Sequence, residues 1–227
     1  MAMNGRVVPG AVPDVAVPDW MLHSVHLGHS PAPGSFDLSP PVGGRARVIG
    51  VEPRSLSTKD LVMDVTDPGL DVARIAVVER HRRTGRVGLG YVTGFGLERG
   101  AIASTVAHDA HNCMVVGARD GSGPKEMAAG VARLAETGGG QVALLDGRVI
   151  AEVPLPIGGL MSNKSATEVA HEMRHLTEVV ARVLGVTLEA PFMQLSFLGL
   201  SVVPELRITD RGLVDATNFS ITDVGGV

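Results

Sequence analysis

Two polar groups, Glu79-Arg80-His81 and His108-Asp109-Ala110-His111-Asn112, interrupt aliphatic runs in the middle of this 227-residue chain. A polar group buried in such a run without a partner costs about 1–3 kcal/mol. The two groups are therefore either a fully satisfied internal network or a working site. Imidazole titrates near neutral pH, and Asp109 can orient an imidazole or fix its tautomer. In the working-site reading His108 or His111 is the general acid or base, with Asp109 beside it and Glu79 as a second carboxylate. Arg80 or Asn112 then holds an anionic or carbonyl group, and His81 and Ser104 complete the contacts to substrate. Ser104 has no base at a legible spacing to make it a nucleophile. His108, Asp109 and His111 are also ligand types for Zn, Mn or Fe. In an extended segment, however, neighbouring side chains point to opposite faces, so His108 and Asp109 share a pocket only if the chain turns there.

Three other motifs are set aside on physical grounds. His171-Glu172-Met173-Arg174-His175 has the spacing of a zinc-protease helix. At about 100° per residue, Val169, Met173, Leu176, Val180 and Val183 form the buried stripe, which puts His171 and His175 on the wet face. Gly88, Gly90, Gly94 and Gly96 superficially match a dinucleotide loop, yet they lie in a β-branched run and open no helix. Bulges or close backbone approach account for them. His23, His26 and His29 sit in a Pro-rich, irregular segment that reads as solvated.

The elements that must position the polar groups are mixed. Residues 1–44 are rich in Pro and Gly and read as an arm or linker, with a short strand at Asn4–Val8 and an apolar anchor at Trp20, Met21 and Leu22. The body, residues 45–227, starts with strands from Arg45, at Leu61–Val65, at Ala73–Glu79 and at Val87–Thr93. Lys125–Glu136 has helical spacing. A hairpin follows, turning at Asp146-Gly147. Ser165–Leu184 reads as a long helix, capped by Ser162 or Ser165 and stopped by Gly185. The apolar tail turns at Asp210-Arg211-Gly212. Without regular strand-helix-strand alternation, the expected class is α+β, a layered sandwich of mixed or antiparallel sheet with packed helices.

Composition narrows the function. The chain has 20 Lys plus Arg against 24 Asp plus Glu, and only one Trp, one Tyr and five Phe. It thus lacks both a basic footprint and stacking platforms for nucleic acid. No run approaches the ~18 apolar residues of a membrane span, and no basic-then-apolar leader is visible. Cys113, the single cysteine, excludes an internal disulfide and fits a reducing compartment. The expected location is cytoplasmic. Aliphatic composition and an orphaned docking face make homo-oligomers a further expectation.

VVERHRRTG, GFGLERGAIASTVAHDAHN, LPIGGLMS and PELRITDRGLVD, in this order between Arg45 and Phe219, resemble the C-terminal domain of the bacterial adenine deaminases, of the amidohydrolase superfamily. NGRVV and PDWMLHSVHL resemble the segment that leads from that family's small β-domain into it. The resemblance implies hydrolytic deamination of adenine to hypoxanthine and ammonia. It implies divalent metals, Mn, Fe or Zn, held in a β/α barrel that this sequence does not contain, and hence a barrel-bearing partner and a purine-like ligand. Trp20–Leu27 and Phe192–Leu200 are the candidate docking faces, with intramolecular packing as the alternative for each. Three readings stay open: part of a split or longer deaminase, a stand-alone acid/base enzyme or small-molecule binder using ERH and HDxHN, and a non-catalytic structural subunit.

Overall fold

Strands that are aliphatic on both faces demand a sheet covered on both sides, and the computed structural model, which describes residues 2–3, 6–8 and 16–225, has one. The elements are β1 (Ala2–Met3), β2 (Arg6–Val7), α1 (Asp19–Leu22), a 3-10 turn at Pro33–Phe36, β3 (Arg45–Val51), β4 (Thr58–Asp64), β5 (Ala73–Val78), β6 (Val87–Thr93), β7 (Ala101–Ser104) and β8 (Cys113–Gly117). They continue with α2 (Gly123–Glu136), β9 (Gly140–Leu145), β10 (Arg148–Pro154), α3 (Ala166–Leu184), α4 (Pro191–Phe197), β11 (Leu206–Thr209), β12 (Gly212–Asp215) and β13 (Ser220–Thr222). Eight strands form one sheet in the order β10-β9-β7-β8-β5-β6-β3-β4, antiparallel except for the parallel pair β3 and β6. The fold is the expected α+β sandwich with a mixed sheet.

Alternation along the central strands sorts the core into two layers. Ile75 and Val77 of β5 and Met114 and Val116 of β8 face the side covered by α3, α4 and β11, with Leu176, Val180 and Leu195 packed against them. Ala76, Val78, Cys113 and Val115 face the opposite side, where α2 contributes Met127, Val131 and Leu134. The arm lies on this second face. Val25, Leu27 and the fully buried Phe36 pack there, whereas Trp20 is 75% exposed. The apolar anchor is therefore Val25, Leu27 and Phe36 rather than Trp20, because the arm crosses the sheet only after α1. Of the strand expected at Asn4–Val8, Arg6–Val7 is strand and Asn4 and Gly5 lie outside the described residues.

Local chemistry explains the element ends. Ser165 caps α3 in a reciprocal box with Glu168, and Gly185 ends the helix at φ 79°, in the left-handed region. Asp146 and Gly147 both have positive φ, as a two-residue hairpin between β9 and β10 requires. His171 and His175 stand exposed on α3 while Leu176 and Val180 are buried, so the helix faces are those expected. Gly88 sits where a Cβ would lie 1.9 Å from the Thr209 carbonyl oxygen, which is the close backbone approach expected of the glycine run.

Candidate functional site

The chain does turn between Ala107 and Asn112. The His111 amide donates to the Ala107 carbonyl at 2.6 Å, and the Ala107 amide donates back to His111 Nδ1 at 3.2 Å. This turn carries His108 and Asp109 onto the same side, and both line a cavity of about 370 Å³. Its other polar walls are Asn112, Ser201, Thr209 and Asp210, and its apolar floor includes Val77, Met114 and Ile208. The cavity opens at one edge of the α4 face, between the His108 turn, the segment after α4 and the hairpin of β11 and β12.

His108 is the half-exposed centre of this arrangement, its side chain 40% accessible. Its ring stacks on Phe197 at 5.1 Å and lies 5.7 Å from the ring of His111. Asp109 is open to solvent, 3.9 Å from His108 Nδ1, so it supplies a carboxylate at the mouth and no firm hydrogen bond. Burial, with the His108 imidazole and the Arg80 guanidinium nearby, lowers the pKa of His111. Nδ1 of His111 accepts from the Ala107 amide, and the ring sits behind His108 and outside the cavity lining.

The remaining expected site residues build the frame. Glu79 was expected as a second catalytic carboxylate, but its oxygens accept from the amides of His81 (2.6 Å), Arg82 (2.7 Å) and Thr84 (3.1 Å) and from the Thr84 hydroxyl (2.9 Å). Burial alone would raise its pKa. The amide bonds from Thr84, His81 and Arg82 and the Thr84 hydroxyl outweigh burial and hold it at about 2. Glu79 closes the loop from β5 to β6 and is not part of the cavity.

Arg80, expected to hold an anion, is 1% exposed and spends its guanidinium on carbonyls. Nε donates to His111, Nη1 to Ser24 at 3.1 Å and Nη2 to Gly158 at 3.1 Å. Burial lowers its pKa. His81 is exposed, its Nε2 2.7 Å from the Ala110 carbonyl oxygen, and it props the turn from outside. Ser104 is wholly buried and its Oγ accepts from the Val106 amide at 3.0 Å, so it shapes the strand end and lies outside the cavity lining.

Two residues that the sequence reading passed over complete the site. Asp210 lines the cavity and accepts from Arg86 Nε at 2.7 Å; in the sequence it has the pattern of a turn former alone. Arg207 is fully buried and donates to the carbonyls of Phe197 (3.0 Å), Val203 (2.6 Å), Pro204 (2.9 Å) and Leu56, so it fixes both ends of the 199–202 wall. Burial pushes its pKa down to about 10. An Arg in an apolar strand was the available signal, since a buried guanidinium must find several acceptors. Among the described residues no three His, Cys, Asp or Glu side chains converge as metal ligands, so the metal reading of His108, Asp109 and His111 has no geometry behind it. Likewise, no described helix is long and apolar enough to cross a membrane.

In chemical terms the cavity offers one imidazole for proton transfer, one carboxamide and two carboxylates above an apolar floor. It can hold a small polar ring and exchange a proton with a group near its mouth.

Residues 52–220, three quarters of the chain, match the family model described as the adenine deaminase C-terminal domain. An adenine deaminase of Moorella thermoacetica is 41% identical over 239 aligned residues, covering 98% of this chain and 39% of that protein. One from Clostridium botulinum is 38% identical over 99% of the chain and 38% of its own length, and one from Brucella melitensis is 47% identical over 78% and 31%. The chain thus spans 31–39% of the length of these relatives.

Proposed function

The chain belongs to the adenine deaminase C-terminal domain family, and on that footing we propose that it serves as the C-terminal part of a hydrolytic adenine deaminase. It acts with a metal-binding barrel to convert adenine and water to hypoxanthine and ammonia. The observation that carries this reading is the convergence of His108, Asp109, Asn112 and Asp210 on one cavity, in a chain whose relatives are more than twice as long. His108 exchanges a proton with the departing amino group, and Asn112 and the carboxylates orient the purine edge.

The divalent metals of this chemistry belong to the barrel. No ligand set converges here among the described residues, and Nδ1 of His111 is already occupied by the Ala107 amide, so no step is assigned to a metal held by this chain. The apolar rim fits a docking role: Met193 is 57% exposed and Val202 69%, both beside the His108 turn, and Trp20 stands out from the arm.

The test is a chimera in which this chain replaces the matching C-terminal region of the Moorella thermoacetica adenine deaminase, assayed for ammonia and hypoxanthine with Mn²⁺ present. The expected result is turnover by the chimera, none by the chain alone, and its loss with His108→Ala. Turnover that is indifferent to His108 would remove the cavity from the reaction.

A further inference from the structure

We infer that a second small-molecule site lies on the far side of His108, in a cavity of about 260 Å³ between α3, α4 and β9 that binds a neutral, flat heterocycle through the carboxamide of Gln141. The walls are apolar, formed by Val106, Met173, Phe192 and Met193, with His108 at one side. Gln141 is 8% exposed, and its Oε1 is buried without a hydrogen-bond partner among the described residues. A buried carboxamide oxygen in an apolar slot is unfavourable unless something donates to it. The two hydroxyls that line the slot are already engaged. Thr177 donates to the Met173 carbonyl at 2.8 Å and Ser196 to the Met193 carbonyl at 2.7 Å. Among the described residues, the side chains of Gln141 and His108 are left as the polar groups of the slot without a hydrogen-bond partner.

The chemistry of the occupant follows. A primary carboxamide offers an acceptor and a donor side by side, and a ring edge with N–H beside C=O, a cis-lactam, meets both at once. Flat apolar faces suit the slot formed by the Met173 and Met193 thioethers and the Phe192 ring, since thioether sulfur packs well against aromatic rings. The volume is below the range of drug-sized pockets, which limits the ligand to one or two fused rings. A charged ligand is disfavoured, because no Asp, Glu, Lys or Arg side chain lines the slot. This site shares His108 with the cavity of Asp109 and Asp210, has otherwise different walls, and does not depend on the deaminase reading.

The experiment uses the whole chain labelled at methionine methyl groups and titrated with 2-pyridone, a cis-lactam, and with N-methyl-2-pyridone, which has the same shape and no N–H. Met173 and Met193 report this slot, and Met114 reports the other cavity. The expected result is saturable shifts of Met173 and Met193 with 2-pyridone, at least tenfold weaker binding of the N-methyl compound, and loss of that discrimination in Gln141→Leu. Leucine fills nearly the same volume without the orphaned oxygen, so the variant should melt no lower than the wild type. Met193→Trp, a change at an exposed position on the rim, should block binding without touching Gln141. No saturable shift, shifts confined to Met114, or equal affinity for the two probes would each overturn the assignment.

Discussion

Replacing Glu79 by Gln separates frame from site most sharply, because this carboxyl had every sequence credential of a catalytic group and the structure commits it to a loop. Its pKa stands at about 2 against an ordinary 4.5. At pH 7 that difference corresponds to about 3 kcal/mol of folding free energy. The donor amides belong to an exposed loop, where solvent screens the charge, and about 2 kcal/mol is the figure carried forward. Gln keeps the shape but loses the charge and presents an NH2 to one of the donors. For a chain of this size about 2 kcal/mol is a drop of about 4–8 °C in melting temperature. The pH dependence has a fixed sign: a depressed carboxylate pKa means stability that is complete above about 4.5 and is lost as pH falls toward 2. Urea unfolding of wild type and Glu79→Gln at intervals between pH 7 and pH 2 makes the measurement, and the difference between them isolates Glu79 from the other acids. The gap should be about 2 kcal/mol at pH 7, shrink below about pH 4 and be nearly gone at about pH 2. A gap under 0.5 kcal/mol at pH 7, or one unchanged down to pH 2, would refute the assignment of Glu79 to the frame.

Arg80→Met leaves carbonyls of Ser24, His111 and Gly158 without their donor, and at about 1–3 kcal/mol for each group stranded the variant should lose at least 3 kcal/mol by calorimetry and expose the arm near Ser24 to protease. His108→Ala removes a half-exposed ring whose main neighbour is Phe197, so the melting temperature should stay within about 4 °C, a loss near 1 kcal/mol, while the chimeric deaminase loses turnover. Burial, with Glu79 adding to it and Arg80 opposing it, pushes the Cys113 thiol up to about 12. Native protein at pH 8 should therefore resist a thiol reagent that modifies the same cysteine within minutes in denaturant. Gly159→Ala would set a Cβ 2.7 Å from Arg80 Nη1 at a φ of 74°, so a loss of about 1–3 kcal/mol is expected, read by the same melts.

Elements with their own periodicity or turn chemistry were legible. The capped helix ending at Gly185, the hairpin at Asp146-Gly147 and the strands from Arg45 and Ala73 follow from local rules, and local rules are what a sequence displays. The middle of the sheet was harder. Ala101–Ser104 and Cys113–Gly117 are short and buried on both faces, so neither alternates, and the polar turn between them drew attention as if it were an extended segment. The site was legible in residue type and not in role. Glu79, Arg80, Ser104 and His111 are as polar as His108 and Asn112, but which of them lines the cavity depends on a turn closed between Ala107 and His111 and on loops distant in sequence. Gln141 and Asp210 carried no signal because each lies in a pattern that a plain strand or turn already explains.

The motifs that carry the family resemblance trace the frame of the cavity more than the cavity itself. ERH supplies Glu79, which locks its own loop, and Arg80, whose guanidinium reaches Ser24 in PDWMLHSVHL, His111 in HDAHN and Gly158 in LPIGG. Four of the quoted segments thus meet at one buried cation. Thr105 reinforces the junction by donating to the Gly159 carbonyl at 2.6 Å and accepting from the Gly140 amide at 2.8 Å. An uncompensated buried cation is an expensive way to join loops, since hydrocarbon packing would stabilise more. What it supplies instead is direction: five N–H groups in a fixed plane permit few arrangements of the loops around them. The family signature therefore reports a device that orients the His108 turn. It follows that Arg80→Lys, which keeps the charge and loses the fork, should lower turnover of the chimera further than its loss of stability accounts for. If the chimera carrying Arg80→Lys instead retains wild-type kcat at a temperature where it is fully folded, the clamp holds the fold together and leaves the chemistry to the cavity alone.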